Sequence, residues 1–196
     1  MNPPTNQDNI NTPIHPAVRV GHVHMNVADL ERSLRFYRDA LGFTLKADGR
    51  PVGVPAVFLA AGDYHHHVAL NAFDTDGAGE PSPGHTGLYH VAFLYPDQPE
   101  LARAIERLQA HAFPIDHATD HGATVSVYLD DPDGNGIELY YDRPRQEWSD
   151  HEGRPILRAD RIAVETITAH ARREQRLTDL NGRGVRRART TDLHVP

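Results

Sequence analysis

One short pattern occurs twice in the sequence, and this repeat limits the folds that the chain can adopt. His22 lies in an apolar stretch, and Asp29 follows seven residues after it. Sixty-eight residues beyond His22, His90 lies in a similar stretch, and Asp97 again follows after seven residues. In each copy, a strand that carries a histidine leads to an aspartate that can cap a helix. The repeat therefore predicts two modules with the same order of elements.

Each module is predicted to contain a strand, a helix and three further strands. Apolar residues at alternate positions indicate the strands, and apolar residues spaced by three or four indicate the helices. The elements predicted for the first module are a strand over 18–27, a helix over 29–41, and strands over 43–46, 56–60 and 66–72. Those predicted for the second are a strand over 88–95, a helix beginning at 97, and strands near 113–115, 124–129 and 136–141. This order predicts an α+β fold with mostly antiparallel strands.

The length of the chain favours one shared core over two independent domains. A chain of 196 residues can bury one solid core. We expect a flexible arm over 1–17, a two-module domain over 18–148 and a basic tail over 149–196. Within the domain, the modules cover 18–73 and 88–142, and a Gly/Pro-rich linker separates them.

The C-terminal tail is basic, whereas the whole chain has a formal net charge of -7. Ten arginines lie between Arg154 and Arg189. A nucleic-acid partner is not favoured, because the basic run is short and contains no aromatic residues that could stack on bases. We expect a solvated tail or a subunit-contact arm that is partly helical over 161–177 and disordered at its end.

The composition also excludes several kinds of chemistry. The chain contains no cysteine, which excludes disulfides, thiol catalysis and cysteine-ligated zinc. Residues 1–16 are polar and lack the apolar segment of a signal peptide. No apolar run approaches the length of a membrane span. We therefore expect a cytoplasmic protein that makes no membrane contact.

His22 and His90 occupy equivalent positions in the repeat, and a carboxylate follows in the second module. Residues 131–134 (Asp-Pro-Asp-Gly) are typical of a turn, and Glu138 lies on the strand after it. Two histidines and one carboxylate are the ligands of a common type of mononuclear metal site. A single buried histidine is more often a core residue than a ligand. Three suitable residues at related positions nevertheless favour a metal site formed by His22, His90 and Glu138.

The first module lacks a carboxylate at the position that corresponds to Glu138. A shift by the repeat period leads from Glu138 to Leu70. His66 has the same strand parity as Leu70, and side chains two residues apart along a strand share a face. We therefore expect His66 to lie beside the metal site as a titratable group that is not itself a ligand.

Several motifs resemble the vicinal-oxygen-chelate superfamily, which includes glyoxalase I, antibiotic-resistance binding proteins and extradiol ring-cleaving dioxygenases. The signature of the extradiol dioxygenases is matched at every fixed position by Thr119-Asp120-His121, Val127-Tyr128, Asp131-Pro132, Gly134 and Glu138. Residues 21–24 (Gly-His-Val-His), 64–67 (Tyr-His-His-His) and 142–145 (Asp-Arg-Pro-Arg) are similar to bacterial proteins of the catechol 2,3-dioxygenase type. The resemblance covers roughly residues 18–148.

The resemblance implies a fold, a set of site residues and a cofactor. In such proteins the paired βαβββ modules form one cupped, mostly antiparallel sheet. By this resemblance His22, His90 and Glu138 match the metal ligands. His66 matches the acid-base histidine, and His121 and Tyr128 match a pair that contacts substrate and oxygen. The implied metal is Fe(II), with Mn, Zn or Ni as alternatives. The implied activity is extradiol cleavage of a small aromatic diol by O2, in the catabolism of aromatic hydrocarbons.

Two other functions stay open at this point. A glyoxalase-like isomerase or lyase would use Zn or Ni, and its site usually has a fourth ligand, a glutamate in the first module. A metal-free protein of the same fold would instead bind a drug or another small molecule. The chain also has two modules where extradiol enzymes of this lineage usually have four. We therefore expect a homodimer or the basic tail to help close the substrate pocket.

Overall fold

Each copy of the repeat folds into a sheet of its own with a helix packed on one face. A computed structural model of the protein describes residues 12–82, 84 and 86–169. Within these residues, the chain forms a four-stranded sheet followed by a five-stranded sheet. The predicted α+β fold with two βαβββ modules is confirmed, and the strands form two hydrogen-bonded sheets.

The elements of both modules follow the predicted order. The first module consists of β1 (Val23–Asn26), α1 (Leu30–Leu34), β2 (Thr44–Asp48), β3 (Ala56–Ala60) and β4 (Val68–Asn71). Helix α1 continues as a π-helix over Arg35–Ala40, and a short 3-10 helix covers Arg50–Val52. The second module consists of β5 (Val91–Tyr95), α2 (Gln98–Ala110), β6 (His117–Asp120), β7 (Thr124–Asp130) and β8 (Gly136–Asp142). A second 3-10 helix, Arg145–Glu147, follows β8.

The two repeated aspartates begin the helices, as the sequence predicts. Asp29 Oδ1 accepts hydrogen bonds from the backbone amides of Glu31 and Arg32, and Asp97 Oδ1 accepts one from Glu100. These bonds satisfy amides that have no carbonyl partner within the helix. The apolar faces of the helices are buried, including Leu30, Leu34, Tyr37, Leu101, Ile105 and Leu108. Among the described residues, no helix is long and apolar enough to cross a membrane.

In each sheet, the first strand of the module pairs in parallel with its last strand. Strand β1 pairs with β4 and β5 pairs with β8, whereas the other pairs are antiparallel. The resulting strand orders are β1-β4-β3-β2 and β5-β8-β7-β6, so β1 and β5 each lie at an edge of their sheet. Because His22 and His90 each directly precede these strands, the two histidines occupy equivalent places in the two modules.

Several strands begin later than the sequence predicts. Strand β1 begins at Val23 and not at 18, and β5 begins at Val91 and not at 88. Strand β6 begins at His117, not near 113, because the backbone amide of Phe113 bonds to the Leu108 carbonyl and its ring packs against Phe36. Strand β4 begins at Val68, so the predicted start at His66 is wrong. Residues 64–67 form bends before the strand, and the ring of His66 turns toward β1 and β3.

Part of the predicted tail belongs to the second sheet. Strand β9 (Asp160–Ile162) pairs antiparallel with β6 and forms its outer edge. The predicted helix over 161–177 is therefore wrong at its start, because Arg161 and Ile162 are paired residues of a strand. A helix occupies 164–169, where Ile167 is buried. The rest of the predicted helix and the predicted disordered end, residues 181–196, fall within 170–196, and most of the predicted arm falls on residues 1–11. Both ranges lie outside the described residues.

The turn between β7 and β8 joins the two modules through two buried carboxylates. Asp131 accepts a hydrogen bond from the Tyr37 hydroxyl at 2.7 Å, and Tyr37 belongs to the first module. Asp133 accepts hydrogen bonds from Arg32, from the Ser33 hydroxyl and from the backbone amide of Ala28. Burial of charge is tolerated only where the charge is paired and hydrogen-bonded. These bonds therefore fix the turn, and β8 after it, against helix α1.

Replacing Asp131 by alanine is expected to destabilise the protein strongly. The Asp131 carboxylate also accepts hydrogen bonds from the amides of Asp133 and Asn135, so its loss leaves several buried donors without a partner. We expect Asp131→Ala to lower the free energy of unfolding by about 3 kcal/mol. Tyr37→Phe removes one of these donors and leaves the carboxylate otherwise bonded, and it should cost about 1 kcal/mol.

Urea denaturation of the metal-free protein measures both changes. The matched control is Asp130→Ala, because Asp130 is the neighbouring residue and its side chain is exposed. An Asp131→Ala protein as stable as the Asp130→Ala protein would contradict the role of this turn.

Candidate active site

His22 and His90 line the same cavity, at the place where the edge strands of the two modules face each other. The cavity has a volume of about 780 Å³, and most of its lining is apolar, including Val23, Phe43 and Phe93. A cavity of this size can hold a small aromatic molecule. Both repeat histidines are thus at one cavity, although they belong to different sheets.

His90 is in direct contact with the predicted carboxylate ligand. The parallel register of β5 and β8 pairs Ala92 with Glu138, and side chains at paired positions point to the same face of the sheet. His90 Nε2 lies 3.0 Å from Glu138 Oε2. A nitrogen and a carboxylate oxygen, both of the kinds that bind transition metals, therefore face each other in the second module.

Tyr128 and His121 extend this contact along the sheet. Tyr128 lies on β7 opposite Glu138, and its hydroxyl donates a hydrogen bond of 3.0 Å to Glu138 Oε1. His121 lies just beyond the end of β6, and its Nε2 is 2.9 Å from the same hydroxyl. The four side chains of His90, Glu138, Tyr128 and His121 therefore form one continuous row of polar contacts.

This row can carry a proton between its members. The Tyr128 hydroxyl has a single proton but touches two groups that can accept one, Glu138 Oε1 and His121 Nε2. When the hydroxyl donates to Glu138, a bond to His121 requires a proton on Nε2 of the imidazole. When it donates to His121, a bond to Glu138 requires a protonated carboxyl. One proton can thus shift along the three groups.

The Tyr128 hydroxyl stays protonated over the whole neutral range. Its partial burial and the adjacent Glu138 carboxylate raise the pKa of Tyr128 to about 12. Both effects disfavour the phenolate, burial through lost hydration and the carboxylate through repulsion. Tyr128 is therefore a hydrogen-bond donor and not a negative charge in this site.

His66 lies next to His22 in the first module. The ring centroids of His22 and His66 are 4.4 Å apart, and the ring of Phe58 lies 5.3 Å from His66. Loss of hydration and the neighbouring histidines, His22 and His65 above all, lower the pKa of His66 from its ordinary value. His66 is therefore mostly neutral near pH 7, with Nδ1 placed 2.7 Å from Nδ1 of His65.

The strand register corrects one step of the sequence argument. Leu70 pairs with Met25 and is fully buried in the core, so it does not occupy the position equivalent to Glu138. Ala69 pairs with His24 just as Glu138 pairs with Ala92, which makes Ala69 the equivalent residue. Equivalent residues of the two modules are therefore one position farther apart in the sequence at Ala69 and Glu138 than at His22 and His90. The first module still offers no carboxylate at this place.

In their present positions, the predicted ligands form only part of a mononuclear metal site. Two ligand atoms at right angles, each about 2.1 Å from an ion, lie about 3 Å apart, which is the separation of His90 Nε2 and Glu138 Oε2. His22 lines the same cavity but is in contact with His66. In the described part of the chain, no three His, Asp or Glu side chains are close enough to hold a metal. The structure thus brings two predicted ligands together and places the third nearby.

Sequence reasoning missed further residues around Tyr128. The ring of His117 stacks on the Tyr128 ring, with centroids 4.7 Å apart and an angle of 20° between the planes. The register of β6 and β7 pairs these two residues, but the predicted position of β6 excluded His117 from the strand. The carbonyl of Arg158, in the predicted tail, contacts His121. No local sequence pattern indicates that contact.

The protein thus belongs to a class with two βαβββ modules and a polar site to which both modules contribute side chains. The sequence profile of the Glyoxalase/Bleomycin resistance protein/Dioxygenase superfamily matches residues 19–139. The protein belongs to this superfamily.

Several relatives within the superfamily carry the names of dioxygenases. The chain is 37% identical over 171 residues to a catechol-2,3-dioxygenase of Bacillus subtilis, covering 84% of this chain and 56% of that protein. It is 32% identical over 125 residues to biphenyl-2,3-diol 1,2-dioxygenase 3 of Rhodococcus globerulus, covering 63% of each. The chain thus spans less than two thirds of the length of these relatives. It is also 32% identical to the metallothiol transferase FosB of Staphylococcus epidermidis, covering 62% of this chain and 80% of that protein.

Solved structures share the same fold. A glyoxalase/dioxygenase from Nostoc punctiforme superposes with a TM-score of 0.54 at 26% identity, covering 68% of this chain and 99% of that one. A glyoxylase/bleomycin resistance protein/dioxygenase domain from Frankia sp. EAN1pec superposes with a TM-score of 0.56 at 21% identity, covering 64% and 98%. The second likeness supports the fold alone.

The raised pKa of Tyr128 can be tested by titration. We expect the Tyr128 phenol to remain protonated at pH 10, where a tyrosine with an ordinary pKa is about half ionised. Glu138→Gln removes the adjacent negative charge and should lower the pKa of Tyr128 toward 10. NMR of tyrosines labelled with 13C at Cζ, assigned with Tyr128→Phe, follows the ionisation. Glu147→Gln, an exposed change outside this row, should leave it unaltered. An ionisation midpoint near pH 10 for Tyr128 in the wild-type protein would contradict the placement of its hydroxyl beside the Glu138 carboxylate.

Proposed function

We propose that the protein is a mononuclear non-haem Fe(II) extradiol dioxygenase that cleaves a catecholic ring with O2. The observation that carries this proposal is the row formed by His90, Glu138, Tyr128 and His121 across the second sheet. His22 and His66 lie on the first-module side. The named dioxygenase relatives support the same conclusion. In the proposed reaction a ring C–C bond beside the two hydroxyls breaks, and both atoms of O2 enter the product.

His22, His90 and Glu138 are the proposed metal ligands. Iron bound by these residues would bind the vicinal oxygens of a diol and transfer electrons from the diol to O2. The contact between His22 and His66 implies that His22 must turn toward His90 and Glu138 when metal binds. The short contact between His90 and Glu138 is consistent with two ligands already in place.

His66 is the proposed acid-base group. An imidazole that acts as a general base has to be unprotonated at the working pH, and the lowered pKa of His66 favours this form. The imidazole would accept a proton from a substrate hydroxyl and return it later in the cycle. The adjacent imidazole of His65 touches His66 and can exchange a proton with it.

Tyr128 and His121 are proposed to bind and orient the substrate. The protonated Tyr128 hydroxyl can donate a hydrogen bond to a substrate oxygen, and a negative charge that develops on that oxygen strengthens the bond. His121 holds the hydroxyl from its other side. The apolar lining of the cavity beside His90 favours an aromatic ring. A second copy of the chain, as a further wall of the pocket, stays a prediction.

A Zn- or Ni-dependent isomerase or lyase is the main alternative, and relatives such as the metallothiol transferase belong to the same superfamily. A site of the glyoxalase type calls for a further carboxylate from the first module. Ala69 occupies the equivalent position, so the chain offers no such ligand there. This absence supports the three-ligand site of the proposed dioxygenase.

Iron binding and oxygen consumption test the proposal together. Protein reconstituted anaerobically with Fe(II) is expected to hold one iron per chain and to consume O2 with at least one member of a catechol panel. The Glu138→Ala variant should no longer bind one iron per chain, because the substitution removes the charged member of the three ligands. Glu152→Ala, an exposed carboxylate outside the site, is the control. Full iron content in folded Glu138→Ala protein would refute the ligand assignment. Isomerase activity of the Zn or Ni form, with an Fe(II) form inert to every catechol, would refute the dioxygenase.

His66→Phe should separate catalysis from metal binding. The variant should retain iron and bind a catechol, but its turnover should fall by roughly 10²–10⁴-fold, the usual contribution of a general acid-base group. His151→Phe is the control, because His151 is exposed and its side chain contacts Glu152, which is outside the row. Iron content and steady-state rates are measured on one preparation. Parallel loss of iron and rate would make His66 a ligand, and unchanged rates would make it a bystander.

A further inference from the structure

The chain beyond Trp148 returns to the site and contacts His121. Strand β9 pairs with β6, with Asp160 opposite Asp120, so the residues just before β9 pass beside the end of β6. There, His121 Nδ1 lies 3.0 Å from the backbone carbonyl of Arg158. The other ring nitrogen, Nε2, is the atom that contacts the Tyr128 hydroxyl.

The contact with a carbonyl fixes which nitrogen of His121 carries the proton. A backbone carbonyl can only accept a hydrogen bond, so Nδ1 must be the protonated nitrogen of the neutral ring. Nε2 is then left as the acceptor that faces Tyr128, so in this form of the ring the Tyr128 hydroxyl donates to His121 and not to Glu138. A ring protonated on Nε2 alone would lose the bond to Arg158. The position of one backbone carbonyl therefore determines how His121 can interact with Tyr128.

A partly buried ion-pair cluster holds that carbonyl in place. Asp120 Oδ2 pairs with Arg158 Nη2 at 2.7 Å and with Arg143 Nη2 at 2.6 Å, and Oδ1 accepts a bond from the Gly122 amide. The Asp120 side chain is only 14% exposed. Burial acts to raise the pKa of Asp120, but the bonds from Arg158 and Gly122 and the charge of Arg143 lower it overall. Asp120 therefore stays ionised and attracts Arg158.

Close packing between Gly122 and Ile156 also restricts the segment that leads to Arg158. Gly122 has a left-handed backbone, with φ of +86°, and a Cβ atom built there would lie 2.4 Å from the Ile156 side chain. Only glycine meets both conditions without strain. The amide of Ile156 also bonds to the Trp148 carbonyl, and Trp148 Nε1 bonds to the Arg143 carbonyl. The segment is thus held in place at Ile156 and at Arg158, where it contacts His121.

We propose that Arg158 is a positioning residue of the site, through which the segment from Ile156 to Asp160 sets the tautomer of His121. The Asp120–Arg158 ion pair holds the Arg158 carbonyl against Nδ1, and Nε2 is thereby directed to Tyr128. The consequence for catalysis rests on the proposed function, whereas the tautomer itself does not.

Nitrogen NMR of the imidazole rings tests the tautomer directly. In metal-free wild-type protein at a pH where the histidines are neutral, His121 is expected to show protonated Nδ1 and unprotonated Nε2. Arg158→Ala should lose this single form and give a mixture of tautomers. Arg158→Lys, which can still pair with Asp120, should restore it in part. Arg154→Ala is the matched control, because Arg154 lies in the same segment but pairs with Asp150 and Glu152.

Rates measured on the same variants show whether the tautomer matters for turnover. We expect Arg158→Ala to lower kcat by about 10- to 100-fold with little change in KM, as for other residues that orient a site group. Arg154→Ala should have neither effect, although it also loses ion pairs. A wild-type His121 protonated on Nε2, or an Arg158→Ala protein with an unchanged tautomer, would overturn the proposal. A changed tautomer in a protein that never consumes O2 would support the positioning and refute the dioxygenase.

Discussion

Asp131 and Asp133 carry two negative charges into the contact between the modules, and donors from both modules balance them. The same turn begins β8, so the bonds that join the modules also set the position of Glu138. Gly134 has φ of +78°, a conformation that glycine adopts at little cost and that this short turn requires. Two carboxylates without hydrogen-bond donors would be too costly to bury. The site therefore depends on an interaction that lies outside it.

The two modules contribute different groups to the candidate site, of which His22 and His90 line the cavity. The second module supplies a carboxylate, a phenol and two imidazoles in continuous contact, whereas the first supplies imidazoles and aromatic rings without a carboxylate. A duplicated fold gives two equivalent edge strands, each preceded by a histidine. Differences between the last strands, Ala69 against Glu138, then make the site asymmetric. In the proposed function both modules hold the metal, through His22, His90 and Glu138, and His66 of the first module accepts a proton.

Much of the fold could be predicted from sequence because its signals are local. The capping aspartates, the apolar faces of the helices and the turn at residues 131–134 depend on neighbours along the chain. The register of β4 could not be predicted, because one additional residue shifts the position equivalent to Glu138 from Leu70 to Ala69. His117 and the Arg158 carbonyl were missed for a related reason. Their places depend on pairing of β6 with β7 and β9, and a backbone carbonyl has no sequence signature.

The central claim is that residues from both modules form one metal site, and a structure of the protein loaded anaerobically with Fe(II) tests it most directly. We predict a single iron bound by His22, His90 and Glu138, with His22 turned away from His66. His66 should remain beside the site without binding the metal, and Tyr128 should keep its contact with His121. Iron bound by His66, or bound away from the cavity that His22 and His90 line, would contradict the claim.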